Sequence, residues 1–191
     1  ISIWPMPDLT ARPEGFRPLL PQGFSVPKSW PGTYVCLIPA GPEWTDLDFE
    51  AVVSSRSKLK HLFGPEDDWP PGNLTLTMNE ADLAWHAKEF ELGKSFAYHL
   101  LDTDQRACLG CLYIYPAASM SHEVEAYLWT HINLDKEVAE LIEHEVIDWL
   151  DREWPFESIA WPGRFISFES WSAAGLRNYY VCTRTTSSLY Y

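Results

Sequence analysis

Two carboxylates stand beside two aromatic residues in a segment of alternating character at 123–131. Residues two apart in a strand share a face, so Glu123 and Glu125 are expected on the same side as Tyr127 and Trp129. A carboxylate partly withdrawn from water has a raised pKa, which suits a general base. The alternative is a pair of solvated residues at the start of a strand. We predict Glu125 and Glu123 as catalytic candidates.

A second group of carboxylates lies in the run Glu66-Asp67-Asp68-Trp69. Its negative charges and its indole could hold an ammonium group by charge and by cation–π attraction. The alternative is a solvated acidic loop. The predicted substrate-binding residues are Asp67, Asp68, Trp69, Tyr127 and Trp129.

Cys108 and Cys111 match half of a redox or zinc motif, but the sequence has no second pair at this spacing. An offset of three along a strand places the thiols on opposite faces, so we expect buried structural cysteines and no metal. The six histidines lack the spacing of metal ligands. His99 or His131 could instead serve as a base in a pocket.

The composition narrows the classes of partner. A formal charge of −13 with 14 Lys and Arg argues against nucleic acid and against an anionic membrane surface. Such a chain attracts cations, for example a small-molecule amine. No apolar run approaches the roughly 20 residues that span a bilayer. We therefore expect a cytoplasmic protein with reduced thiols, as a monomer or a homodimer.

The first 31 residues contain seven prolines, which exclude a helix or a central strand there. We predict an extended proline-rich arm over 1–32, a single domain over 33–183 and a C-terminal tail over 184–191. The aromatic residues that could pack the arm on the domain are Trp4, Phe16, Phe24 and Trp30.

Periodicity and turn residues predict the elements of the domain. Strands are expected at 33–40, 95–102, 107–115, 123–131, 156–161 and 176–182. Helices are expected from Asp46 or Asp48 to Gly64, from a cap at Asn79 to Gly93, over 135–152 and over 167–174. This order predicts an α/β (α+β) fold with a mixed sheet, antiparallel in its middle, and a crossover helix late in the chain.

Two segments in this order resemble a known family. Leu109-Gly110-Cys111-Leu112-Tyr113-Ile114 is similar to the third strand, and Ser170-Trp171-Ser172-Ala173-Ala174-Gly175-Leu176 to the closing helix, of the GCN5-related N-acetyltransferase (GNAT) superfamily. The resemblance covers about 33–182. It implies a mostly antiparallel sheet flanked by helices, and transfer of an acyl group from acetyl-CoA to an amine.

The family resemblance also assigns a cofactor loop and an acid. The loop that cradles the CoA diphosphate corresponds to 131–140, which contains no glycine or arginine, so the chain resembles a divergent member. Its implied cofactor-binding residues are His131, Ile132, Lys136 and Val138. The family's tyrosine acid corresponds to Trp171, so Tyr179 or Tyr180 would have to replace it.

The sequence leaves several functions open. The first is an N-acyltransferase that acts on a small-molecule amine. The second is a protein of this fold that has lost CoA and uses its aromatic cleft for a ligand or for another small-molecule reaction. The third is a scaffold whose proline-rich arm engages a partner chain.

Overall fold

The computed structural model of the chain describes residues 9–13, 15–17 and 19–186. Six strands in this part of the chain form one sheet. They are β1 (Trp30–Pro31), β2 (Cys36–Pro39), β3 (Phe96–Leu101), β4 (Cys108–Pro116), β5 (Val124–Thr130) and β6 (Ile159–Ala160). The helices are α1 (Thr45–Ser54), α2 (Arg56–Leu59), α3 (Leu76–Glu91), α4 (Lys136–Glu153), α5 (Phe168–Ala173) and α6 (Tyr179–Thr186), with a 3-10 turn at Pro42–Trp44.

The strands lie in the sheet in their order along the chain. Every neighbouring pair is antiparallel except β5 and β6, which are parallel. The parallel pair needs a crossover, and α4 supplies it. The predicted mixed, mostly antiparallel sheet with a late crossover helix is confirmed.

The two faces of the sheet are packed differently. Val124, Ala126 and Leu128 of β5 belong to the apolar cluster that includes the buried residues of α4. Tyr127 and Trp129 point to the other face and pack in a second cluster with residues from α1, α3 and α6. The predicted alternation of β5 is therefore confirmed: the strand presents aliphatic side chains to one face and aromatic side chains to the other.

Strand β4 contains a bulge near its start. Leu100 pairs with Gly110 but Leu101 pairs with Cys108, so the register shifts and one residue of β4 is left over. Gly110 has a φ of 151°, and a Cβ there would lie 2.0 Å from the carbonyl oxygen of Trp129. The bulge changes the alternation between Cys108 and Cys111. Our prediction that these thiols lie on opposite faces is wrong, because both sit in one cluster.

The first two predicted helices differ from the structure at their ends. Helix α3 begins after Thr75, whose hydroxyl accepts from the Met78 N–H, and not at Asn79. Asn79 is buried within the helix, where its side chain donates to Asp48 at 2.8 Å. The single helix predicted to reach Gly64 is instead divided into α1 and α2 at Ser55.

The last predicted strand is wrong, because this segment is helical. Asn178 accepts from the Val181 N–H at 3.0 Å and so caps the first turn of α6. Tyr179 and Tyr180 favour strands by propensity, but their hydroxyls donate to side chains of α3, and these tertiary contacts decide the conformation.

The described part of the proline-rich segment packs on the domain. Phe16 meets Tyr179 edge to face, and Phe24 and Trp30 contact aromatic residues at the end of α4. Trp4 lies outside the described residues. Helix α6 continues to Thr186, across the predicted start of the tail, and the division into arm, domain and tail stays a prediction.

Among residues 9–13, 15–17 and 19–186, no helix combines the length and the apolar character that crossing a membrane requires.

Candidate active site

Strands β5 and β6 separate soon after they meet. They pair at Val124 with Ile159 and at Glu125 with Ala160, and β5 then continues alone to Thr130. Their separation opens a cavity of about 480 Å³, walled by β5, by 161–168 and by residues that follow α1. We call this cavity the strand groove.

Three cationic side chains line the strand groove beside one carboxylate. Lys58 donates to both the carbonyl and the hydroxyl oxygen of Thr130 at 2.7 Å. Burial lowers the pKa of Lys58, Glu143 raises it and Arg164 lowers it again. Lys60 and Arg164 are the other two cations. In a chain with a formal charge of −13, the cations that line the groove outnumber its one carboxylate, although Arg164 pairs with Glu143 and Lys60 lies 3.9 Å from Asp68.

Arg164 contacts two of the elements that line the groove, α4 and β5. Its guanidinium donates to Glu143 at 3.0 Å and to the carbonyl oxygen of Leu128 at 3.3 Å. A ligand lying along β5 would therefore have to displace the contact with Leu128. Sequence reasoning missed Lys58 and Arg164, because neither lies in a motif.

The backbone amides of the loop before α4 already donate hydrogen bonds within the protein. The backbone N–H groups of residues 131–134 all donate within the protein. That of Ile132 donates to Oγ of Ser55 at 3.0 Å, and that of Asn133 to Nδ1 of His131 at 3.1 Å. A diphosphate held by these four amides would have to break their bonds, so residues 131–134 do not fit a diphosphate through their backbone amides.

Charges around this loop are also unfavourable for phosphate. Asp135 and Glu137 lie at the start of α4, and His131 is 3.4 Å from the carboxylate of Glu50. Lys136 extends into solvent, with its ammonium 3.8 Å from Glu140. The remaining predicted cofactor-binding side chains, also exposed, are Ile132 and Val138.

Glu125 is fully buried on the aromatic face of the sheet. Its carboxylate accepts from the Ala118 N–H at 3.0 Å and from the Tyr127 hydroxyl at 3.1 Å. Burial raises the pKa of Glu125 to about 8, although both hydrogen bonds act to lower it. The side chain therefore changes its charge close to neutral pH, as an acid–base catalyst should.

Glu123 has a different position. Its carboxylate accepts from the N–H groups of Glu157 at 2.6 Å and Ser158 at 3.1 Å. These bonds hold the chain as it enters β6. Glu123 therefore links the two parallel strands, and the structure does not bring it to Glu125.

A second cavity, of about 600 Å³, lies between the loop 63–67 and the residues from α5 to α6. We call it the loop cavity. Asn178 lines it and is buried, with its side chain close to the Tyr127 hydroxyl, yet its Nδ2 makes no hydrogen bond of good geometry among the described residues. A buried amide donor without a partner is costly, and a ligand carbonyl or carboxylate would satisfy it.

The predicted acidic loop is divided between solvent, the loop cavity and the core. Asp67 lines the loop cavity and forms an ion pair with Arg184. Asp68 is exposed, 3.9 Å from the ammonium of Lys60. Trp69 is buried against Phe63 in the aromatic cluster. Of these three predicted substrate-binding residues, the structure places Asp67 alone at a cavity.

Tyr127 links the strand groove to Glu125. It lines the strand groove, as Trp129 does, and its hydroxyl donates to Glu125. Burial raises the pKa of Cys182, which lines the loop cavity; Arg177 lowers it, and the charge of Glu125 raises it further. Glu125 thus lies within electrostatic reach of both cavities.

Tyr179 is separate from this arrangement. Its hydroxyl donates to Glu89 at 2.6 Å, and burial and Glu89 raise its pKa. The Tyr180 hydroxyl donates to Asp82 in the same way. Trp171 is buried in a small apolar cluster with Ala160 and Leu176. The structure therefore directs neither tyrosine hydroxyl at the strand groove.

No protein-family model and no curated protein matches the chain. Solved structures do match. RimL, a ribosomal L7/L12 alpha-N-protein acetyltransferase solved in complex with coenzyme A, is 12% identical over 64% of this chain and 67% of that one, with a TM-score of 0.51. The ribosomal-protein-S5-alanine acetyltransferase from Vibrio fischeri is 11% identical over 65% and 67%, with a TM-score of 0.49.

The microcin C7 self-immunity acetyltransferase MccE is 9% identical over 70% of this chain and 68% of that one, with a TM-score of 0.47. At such identities the likeness concerns the fold. The sheet order, the crossover helix and the match to RimL agree, and they confirm the predicted resemblance. The chain has the fold of the GCN5-related N-acetyltransferase superfamily.

Proposed function

We propose that this protein transfers an acyl group from acyl-CoA to the amine of a small molecule. The observation that carries the proposal is the strand groove, which opens where β5 and β6 separate and runs beside Tyr127 and its partner Glu125. A bound acyl-CoA would supply a thioester, which is activated toward attack by an amine. The chain must supply binding, orientation and a place for the proton.

The chain fits the acyl-carrying arm of CoA better than it fits the diphosphate at residues 131–134. The strand groove has room for an extended acyl-carrying arm, whereas the amides of residues 131–134 are already bonded. The phosphates would instead be held by Lys58, Lys60 and Arg164. Lys58 suits this role because it lies at the end of β5 and uses two of its three N–H groups on Thr130.

Glu125 is the proposed proton acceptor. Because it is fully buried, it would act through the hydroxyl of Tyr127, which already donates to it. The hydroxyl would pass its proton to the carboxylate and take one from the amine as the amine attacks the thioester carbon; the C–S bond breaks, and the CoA thiolate leaves and takes a proton from solvent. A base with a pKa near 8 is well matched to such a transfer.

The loop cavity is the proposed acceptor site. It lies next to Cys182, within reach of the charge of Glu125, and Asp67 and Glu66 give it carboxylates. Asn178 offers its Nδ2–H to an acceptor group on the substrate. Glu66 offers a carboxylate to an amine, although Arg177 also lines the cavity and Asp67 is paired with Arg184, and the volume of about 600 Å³ suits a small molecule.

A panel of small amines incubated with acetyl-CoA tests this proposal. We expect acetylated product by mass spectrometry together with an equal amount of released CoA thiol. The reaction should be lost in a Glu125→Gln variant that remains folded. Absence of product and thiol across primary and aromatic amines, with folded protein, would reject the transferase.

The bonded amides of residues 131–134 favour one alternative. A protein of this fold that no longer binds CoA would use the two cavities for another ligand. A thermal shift with aromatic or polycyclic ligands, together with none from acetyl-CoA, would support this alternative.

A further inference from the structure

Four buried side chains that the proposed transfer does not use meet beneath the first turn of α1. They are Asp48 of α1, His99 of β3, and Cys108 and Cys111 of β4, all buried. Two thiols, an imidazole and a carboxylate make up a set of ligands that is common for a transition metal.

The distances among three of the four ligand atoms, those of Asp48, His99 and Cys111, match those between the ligands of a tetrahedral metal ion. Oδ1 of Asp48 lies 3.2 Å from Nδ1 of His99, and Sγ of Cys111 lies 3.4 Å from Oδ1 of Asp48 and 3.7 Å from Nδ1 of His99. Tetrahedral zinc with bonds of about 2.0–2.3 Å separates its ligands by about 3.3–3.8 Å. One ligand atom from each of the four residues lies within 4.8 Å of the others.

The β4 bulge makes this convergence possible. In a regular strand, residues three apart face opposite sides, and Cys108 would point away from Cys111. The register shift opposite Leu100 and Leu101 restores both thiols to the face that His99 occupies. The φ of 151° at Gly110 and its close approach to Trp129 require glycine there.

Neighbouring groups orient two of the ligands. The side chain of Asn79 donates to Oδ2 of Asp48 at 2.8 Å and leaves Oδ1 directed at His99 and Cys111. Such outer contacts are typical of metal ligands. On the far side of the imidazole, the Gly41 N–H donates to Nε2 of His99 at 3.3 Å. This contact places the proton on Nδ1 when no metal is bound.

We propose that Asp48, His99, Cys108 and Cys111 bind one zinc ion. The soft thiolates select zinc over magnesium or calcium, and four protein ligands leave no open position, so the ion has a structural role. Zinc replaces the two thiol protons, which are released to solvent, and the proton on Nδ1 of His99 is transferred to Nε2. The imidazole proton then lies on Nε2, and the contact with the Gly41 N–H must lengthen.

The ion would fix the segment that carries part of the strand groove. It would join α1 to β3 and β4, and α1 leads through Ser55 to Lys58. Ser55 accepts from the Ile132 N–H, and Lys58 donates to Thr130. The zinc proposal does not depend on the transferase proposal, because it is tested by metal content.

Metal analysis of the full chain, purified without chelator from zinc-supplemented cells, is the first test. We expect one zinc per chain by inductively coupled plasma mass spectrometry. Cys111→Ser and His99→Ala should lower the zinc content at least tenfold, whereas Cys36→Ser, at a half-buried cysteine of β2, should keep it. Full zinc content in the two ligand variants would overturn the proposal.

A second test does not require the ligand variants to fold. Removal of zinc from the unaltered protein with a chelator should lower its Tm, and added zinc should restore it. Cobalt(II) in place of zinc should give the visible absorption of a tetrahedral ion and a thiolate charge-transfer band, and zinc should move the amide resonance of Gly41. A chain that binds neither metal, or that carries a Cys108–Cys111 disulfide by mass spectrometry, would contradict the site.

Discussion

Glu125 is the residue on which the proposed chemistry depends. It is fully buried, yet one bond from Ala118 and one from Tyr127 hold its carboxylate in a fixed orientation. Burial alone would favour the neutral acid, and the pKa of about 8 leaves the group able to ionise at the upper end of the physiological range.

The first residue-scale prediction concerns turnover. Glu125→Gln keeps the shape and the acceptor oxygen toward Ala118 but cannot take a proton, so turnover should fall at least tenfold. In the unaltered protein the rate should rise with pH and level off above about 8, since the base must be ionised. Initial rates from pH 6 to 9.5 measure both effects. Unchanged turnover in the variant would remove Glu125 from the mechanism.

The same carboxyl group predicts how stability depends on pH. Its pKa is about 8 in the folded state against an ordinary value of 4.5, so the folded state binds the proton more tightly. The stabilising contribution of Glu125 is therefore full below pH 4.5 and is lost as the pH rises toward 8. Glu125→Gln removes this titration.

Thermal melts of both proteins at pH 5, 6.5 and 8.5 check the sign. The Tm of Glu125→Gln relative to the unaltered chain should increase with pH, and the difference should be largest at pH 8.5. Parallel curves for the two proteins would mean that the carboxyl group titrates normally.

At the scale of elements, the bulge in β4 and the separation of β5 from β6 determine the candidate sites. Gly110 lets β4 pass close to Trp129 and turns Cys108 and Cys111 to one face. The early end of β6 opens the strand groove. Both features are local departures from regular pairing.

Gly110→Ala tests the bulge. The added Cβ would lie 2.0 Å from the carbonyl oxygen of Trp129, and the φ of 151° adds strain of about 1–3 kcal/mol. We expect a clear loss of stability in urea unfolding. Gly72→Ala is the matched control, because nothing lies within 4 Å of its Cβ position, and it should be near neutral. Equal stability of the two variants would argue against a constrained bulge.

Much of the fold followed from sequence patterns, since the alternation in β5 and the apolar positions of α4 reflect burial that each element carries by itself. What the sequence missed depends on contacts between distant residues. The helical start at Asn178 is stabilised by tyrosine contacts with α3, and the meeting of Cys108 with Cys111 requires a bulge that one glycine does not reveal.

The same distinction applies to the candidate site residues, since some could be predicted from local sequence and others depend on contacts between distant residues. Glu125 and Tyr127 could be predicted from the sequence because a carboxylate within a strand of alternating aliphatic and other residues is unusual. Lys58 and Arg164 could not, because they reach β5 from α2 and from the turn after β6. In the predicted loop at 131–140, the amides of residues 131–134 are bonded within the protein, which no pattern of residue types indicates.

At the scale of the whole molecule, the chain is acidic but its strand groove is lined by more cations than carboxylates. This asymmetry predicts that the groove, and not the loop before α4, binds the phosphates of CoA. Lys58→Met should weaken acetyl-CoA binding about tenfold, whereas Lys136→Met, at an exposed lysine beside that loop, should leave it unchanged. Titrations at two salt concentrations should show weaker binding at the higher one. If Lys136→Met weakened acetyl-CoA binding and Lys58→Met did not, the phosphates would instead be bound at the start of α4.

Calorimetric titration of the folded, unaltered protein with acetyl-CoA tests the central claim most directly. The strand groove predicts saturable heat with one ligand per chain, reduced in Lys58→Met. No heat at millimolar acetyl-CoA, from protein whose fold is verified by circular dichroism, would contradict an acyl-CoA site in the strand groove.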